Sequence, residues 1–338
     1  MKLRRSASRR AAIVGGLAVA LVSASALTAS AITGGQPDGE GHPNVGMIGF
    51  YDGTGRYRCS ATLVSPTVVL TAAHCTDGTV GKTALRFDSV IAKTPPSPLP
   101  VAADPAAGYT AAELTAAGWL SGDAHTHPEY SDFTDVRNWN DVGVVVLDEP
   151  VVGITPATIA PANYLDRFAP RVLNKTLFTA VGYGTEVRQP ESGPQKPVPE
   201  SYPIIRRVAE LPGQKLTPQL LQVNGNEKDP RGTGGTCFGD SGGPSFQDGY
   251  QVTVTSYGYT SNCRYIDGFQ RVDIPVVQDW LAKFGVPVGP THSPSLFHVP
   301  QSERAVAQRD CQALEELGSG ARAAAAFDPR DVVLNGAC

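Results

Sequence analysis

Hydrophobic residues in this chain come in short runs bounded by glycine, proline and serine, rarely at helical intervals. Val45–Phe50 and Thr67–Leu70 have the length and flanks of strands. Asp141–Leu147 is a longer apolar run closed by Asp148-Glu149-Pro150. Phe178–Gly184 leads into a Gly-Tyr-Gly turn, and Val252–Tyr257 is a further β-rich stretch. Helical spacing shows at Val276–Phe284, where Gly285 is a stop signal, and again at Ser302–Leu317 before Gly318. Thr94–Gly122 is rich in proline and alanine and reads as an inserted surface loop. No tandem repeat is evident.

Composition agrees with a turn-rich β protein: 36 glycines and 28 prolines, with only 18% charged and 7% aromatic residues. The net charge of −4 is mild, and no basic run follows the N-terminal region, which argues against a dedicated nucleic-acid binder. That region has the form of a secretion signal. Lys2, Arg4, Arg5, Arg9 and Arg10 precede an apolar segment from Ala11 to about Val22, and small residues lead to Ala29-Ser30-Ala31. The apolar segment is short for a membrane span, which needs roughly 20 residues. Ser8-Arg9-Arg10 also hints at twin-arginine export. The expected division is a signal over 1–31, a main domain over 32–285 and an extension over 286–338. The expected product is a secreted, extracellular monomer with no stable membrane association once the signal is removed.

The six cysteines are an even number, as in an oxidising compartment, and none sits in the C-x-x-C spacing of a zinc site. His125-Thr126-His127 has no implied third ligand, so neither metal nor organic cofactor is expected.

Candidate chemistry lies in two motifs. Cys237-Phe238-Gly239-Asp240-Ser241-Gly242-Gly243-Pro244 holds a serine in a glycine-rich turn where backbone N–H groups can converge. Thr71-Ala72-Ala73-His74-Cys75 supplies an imidazole after an apolar run. A serine hydroxyl needs a base to take its proton, and imidazole suits that near neutral pH. Asp141, after Asn140 at the head of the Val-rich run, is the candidate carboxylate to orient the imidazole. Asp132 and Asp135 are nearby competitors, while His42, His125 and His127 carry no such context.

Together these motifs resemble the trypsin/chymotrypsin family of serine proteases, over roughly Ile32 to Gly285. The resemblance implies an all-β fold of two six-stranded antiparallel barrels with the active site between them, followed by a C-terminal helix and, here, an extra tail. It implies His74, Asp141 and Ser241 as the triad, in the chain order His, Asp, Ser. The N–H groups of Gly239 and Ser241 would form the oxyanion hole, and Ser256 would bond the carboxylate. Ile32-Thr33-Gly34-Gly35 resembles the family's mature N-terminus, whose new ammonium would pair with Asp240. Signal cleavage directly before Ile32 would create that terminus; a cut after Ala24-Ser25-Ala26 would leave Leu27–Ala31 as a propeptide. The family's bridges correspond to Cys59–Cys75 and Cys237–Cys263, and the two remaining cysteines, Cys311 and Cys338, would then pair.

The substrate pocket would include Gly235, Thr236, Ser256 and Gly258. Gly235 stands where the trypsin branch has an aspartate, so the usual acidic floor is missing, which leans the expectation to large apolar or aromatic residues before the cleaved bond. The opposite wall matches in two ways. In one Gly268 lines the pocket and Asp267 lies on the surface; in the other Asp267 enters and recruits a basic side chain. The function implied is a secreted endopeptidase acting on polypeptides. An esterase on the same triad and a catalytically inactive binding or adhesion protein are the alternatives. The stretch from His74 to Asp141 is longer than the family usually shows.

Overall fold

Alternation decides where the strands go. In β1 (Val45–Tyr51), Ile48 and Phe50 point into one apolar cluster while Val45, Met47 and Tyr51 point into another, so every residue is buried. The computed structural model describes residues 32–288, except 191–192, 194–195 and 232–233. The expected signal over 1–31, the Ser302–Leu317 helix and the Cys311–Cys338 pair lie outside the described residues.

The N-terminal barrel comprises β1, β2 (Arg56–Ser65), β3 (Val68–Thr71), β4 (Val80–Arg86), β5 (Leu120–Thr126) and β6 (Gly143–Leu147). It closes in the order β1-β2-β3-β6-β5-β4. The C-terminal barrel comprises β7 (Leu177–Gly182), β8 (Arg207–Leu216), β9 (Leu220–Asn224), β10 (Pro244–Gln247), β11 (Tyr250–Gly258) and β12 (Ile266–Arg271). Its order is β8-β7-β10-β11-β12-β9, closed by pairing of β8 with β9. Numbered from each barrel's first strand, the two sets of pairings are identical, so one topology occurs twice. Closure removes the exposed edges of both sheets.

The C-terminal helix, Pro275–Ala282, starts with proline at its first turn, where a missing N–H costs nothing. Val277, Trp280 and Leu281 pack on Val68, Leu70 and Val144 of the N-terminal barrel and on Val254 of the other. The helix therefore pins the two barrels together.

The Pro- and Ala-rich segment is more than a surface loop. Its last residues, Leu120–Gly122, belong to β5, and Ala111–Ala116 forms a helix with a capping box between Thr110 and Glu113. Leu99, Ala102, Tyr109, Leu114 and Trp119 are buried against β1 and against Tyr183 and Ile204 of the C-terminal half. Proline and alanine hid this burial because they carry no clear periodicity.

Candidate active site

The His74 side is built from strand ends. β3 runs into a single 3-10 turn, Ala73–Cys75, which the Cys59–Cys75 disulfide ties back to β2. Asp141 enters from the loop before β6 and is fully buried. Its carboxylate accepts the His74 backbone N–H at 2.9 Å and His74 Nδ1 at 2.9 Å, and receives the Ser256 hydroxyl at 2.6 Å. With Nδ1–H donating, the neutral ring has its lone pair on Nε2, the form a general base needs. The competitors are elsewhere: Asp135 accepts from Arg137 and Asn138, and Asp132 from the Tyr130 hydroxyl.

Two supports were not legible in sequence. Trp139 Nε1 donates to Ser256 Oγ at 2.9 Å, which leaves the Ser256 proton for Asp141. The Asp141 N–H donates to Gln270 Oε1 at 3.1 Å, from β12 of the other barrel. Phe133, held at φ +61°, lies with its ring centroid 5.6 Å from that of His74.

The Ser241 side is built from glycine turns. Gly239 and Gly242 have φ of +98° and +74°, which suits a residue without Cβ. A Cβ on Gly242 would also lie 1.9 Å from Thr71 Oγ1, so the turn docks directly on β3, just before His74. Ser60 holds the turn from the N-terminal barrel: its N–H donates to Ser241 O at 2.8 Å and its hydroxyl to Gly239 O at 2.8 Å. The N–H groups of Gly239 and Ser241 donate to no other described residue. Two donors are thus available beside the serine. The Cys237–Cys263 disulfide braces the turn from below.

Asp240 is also fully buried, accepting the Gly184 N–H at 2.7 Å and the Cys237 N–H at 2.9 Å. Burial pushes its carboxyl up to about 7, against the pull of those two N–H groups and of Arg58 and Arg207. The Gly-Tyr-Gly turn leaves it room, since a Cβ on Gly184 would sit 2.1 Å from its oxygen. Ile32 is fully buried in the C-terminal barrel's core, and Thr33 and Gly235 exchange both backbone hydrogen bonds. Gly235 therefore serves as the anchor of the N-terminal segment.

A cavity of about 340 Å³ opens at Ser241 and is lined by Thr236, Phe238, Tyr257, Gly258 and the Cys237–Cys263 bridge. Asp267 is not one of its lining residues but lies behind two of them, Thr236 and Gly258. The register pairs Asp267 with Gly258, its Oδ2 accepts the Thr236 N–H at 2.7 Å, and its residue is 1% exposed. Burial pushes its carboxyl up to about 7; the Thr236 bonds oppose the rise and the Asp240 charge adds to it. The surface alternative for Asp267 is overturned. Gly268 lies beneath the Tyr257 ring, where a Cβ would come within 2.1 Å of it. A larger depression of about 550 Å³ around His42, Phe246 and Asp248 contains none of these groups.

The remaining histidines named above have structural neighbours. His42 bonds Asp38 and stacks on Phe246, His125 lies against Phe284, and the buried His127 against Trp280. Cys59, His74 and Cys75 come close enough for a metal, but both sulfurs are joined to each other.

Comparison with known proteins agrees with this geometry. The trypsin family model matches residues 32–281. Brachyurin from Leptuca pugilator is 29% identical over 232 residues, covering 67% of this chain and 86% of that protein. A trypsin from Saccharopolyspora erythraea is 31% identical over 209 residues, 60% of this chain and 77% of that one. Among solved structures, HL collagenase superposes with a TM-score of 0.52 at 16% identity, over 76% of this chain and 100% of that chain. GrC gives 0.51 at 19%, over 75% and 98%. At such identities these two bear on the fold alone. The chain belongs to the trypsin family, and it is a serine endopeptidase.

Proposed function

We propose that this chain is a secreted endopeptidase that cleaves polypeptides through an acyl-enzyme on Ser241. His74 Nε2 takes the Ser241 proton as Oγ attacks the carbonyl carbon. The N–H groups of Gly239 and Ser241 receive the oxyanion, and each donor contributes roughly 3 kcal/mol of transition-state stabilisation. His74 then gives the proton to the departing amine. Water, activated by the same imidazole, hydrolyses the ester and frees the serine. The observation that carries this reading is the buried Asp141 carboxylate, which joins His74 Nδ1 and Ser256 in one network.

Export supplies the activating step. Signal removal before Ile32 frees an ammonium, and its burial beside Asp240 neutralises a carboxylate that otherwise has no full counter-charge. The even cysteine count and the two bridges support an oxidising destination. No helix among the described residues is long and apolar enough to cross a membrane.

The Asp267 carboxyl supports a revised preference. Neutral below about pH 7, it leaves the pocket open to large apolar side chains; ionised above, it favours lysine or arginine before the cleaved bond. A serine-directed phosphonate tests the central assignment. One adduct on Ser241, lost in His74→Ala, is expected. Absence of labelling in the form beginning at Ile32 would favour an inactive binding protein, and turnover of esters without peptides would favour the esterase.

A further inference from the structure

Arg58 stands at the edge of this site without a role in the chemistry above. It precedes Cys59 in β2, and its Nη2 donates to Ser201 O at 3.1 Å. A Cβ built on Gly239 would lie 3.3 Å from Arg58 Nε, so the guanidinium sits directly beside the oxyanion glycine. It is absent from the lining of the substrate cavity, which consists of 236–238, 241, 255–258, 260, 261 and 263. No carboxylate forms an ion pair with Arg58 among the described residues. Burial disfavours its charge, countered only by the charges of Asp240 and Tyr202.

In acyl transfer the departing amine must lie within reach of His74, which protonates it, and the Cys59–Cys75 bridge ties the residue after Arg58 to the residue after His74. We infer that Arg58 is a specificity residue for the leaving group, binding a carboxylate carried by the one or two residues after the cleaved bond. Guanidinium and carboxylate match in charge and in planar, two-point geometry. A half-buried guanidinium with unused donors gains most from such a partner. The inference rests on the peptidase reading above.

Two quenched peptides, identical up to the cleaved bond and carrying Asp or Lys at both following positions, test it. The expected ratio of kcat/KM for wild-type protein favours Asp by about tenfold, the size of one charged hydrogen-bonded contact. Arg58→Gln should bring the ratio near one and Arg58→Glu should invert it. Because each ratio is taken within one preparation, loss of active enzyme cancels. A dipeptide leaving group ending in a free acid, compared with its amide, separates a chain-terminal carboxylate from a side-chain one; a preference in either pair supports the inference. Wild type without preference in both pairs, or Arg58→Gln keeping the wild-type ratio, overturns it and leaves the peptidase reading intact. Cleavage of none of these peptides overturns both.

Discussion

The two barrels share one strand order but prepare their proposed catalytic groups in different ways. The N-terminal barrel delivers His74 and Asp141 from the ends of regular strands, and the Asp141 carboxylate is met by the His74 N–H, the imidazole and Ser256. The C-terminal barrel delivers Asp240 and Ser241 from a glycine turn and Asp267 from near the start of β12, and burial drives both of its carboxyls up to about 7. One half is set by packing and hydrogen bonds within the folded chain. The other, on our reading, awaits two incoming cations, an ammonium at Ile32 and a substrate side chain in the cavity.

The sharpest way to break this contrast is to damage the finished half. Asp141→Asn should lower kcat by about 10⁴, because the amide imposes the wrong imidazole tautomer while the geometry survives. A loss below tenfold, measured on peptide substrate with active sites titrated, would remove Asp141 from the triad.

The conditional half should respond to its N-terminus. A form that keeps residues ahead of Ile32 should lose about 10²–10³ in kcat, as when an oxyanion donor is lost. Its stability should also fall as pH rises from about 4 to about 7. The unfolded Asp240 carboxyl releases its proton near 3.8 and the folded one near 7, so the folded state holds more protons across that window and stability declines with rising pH. In the form beginning at Ile32 the ammonium lowers the folded value and flattens the slope. Equal activity and equal pH slopes in both forms would contradict the pairing. Removing the brace with Cys237→Ser and Cys263→Ser should cost about 2–4 kcal/mol in denaturant unfolding.

The smallest effect concerns Asp267. The preference for Lys over Tyr before the cleaved bond should rise with pH through about 7, by about tenfold or less. Asp267→Asn should abolish that rise. The same change should stabilise the protein at pH 8 and not at pH 3, since the parent's ionised carboxylate is the costly form. A pH-independent ratio in the parent would return Asp267 to a purely structural role.

Much of the site was legible because its motifs are local: Ser241 and His74 each lie within a short, distinctive run, and Asp141 opens a Val-rich strand. The fold followed from short apolar runs and the family resemblance. What escaped depends on contacts between distant strands. Ser60, Trp139 and Gln270 are ordinary residues in sequence, and their roles exist only once the barrels meet. The Asp267 ambiguity was a one-residue register question, and in a strand one residue exchanges the two faces. Pairing of Asp267 with Gly258 and of Gly268 with Tyr257 fixes the register, and neither Asp267 nor Gly268 is among the residues lining the cavity.

The most direct measurement is cleavage of a diverse peptide library by protein beginning at Ile32, beside Ser241→Ala prepared identically. Cleavage by the first and a loss of about 10⁴–10⁶ in the second is the predicted result. Equal cleavage by both, or none by the form with a free Ile32, would contradict the assignment of Ser241 as the nucleophile of a working peptidase.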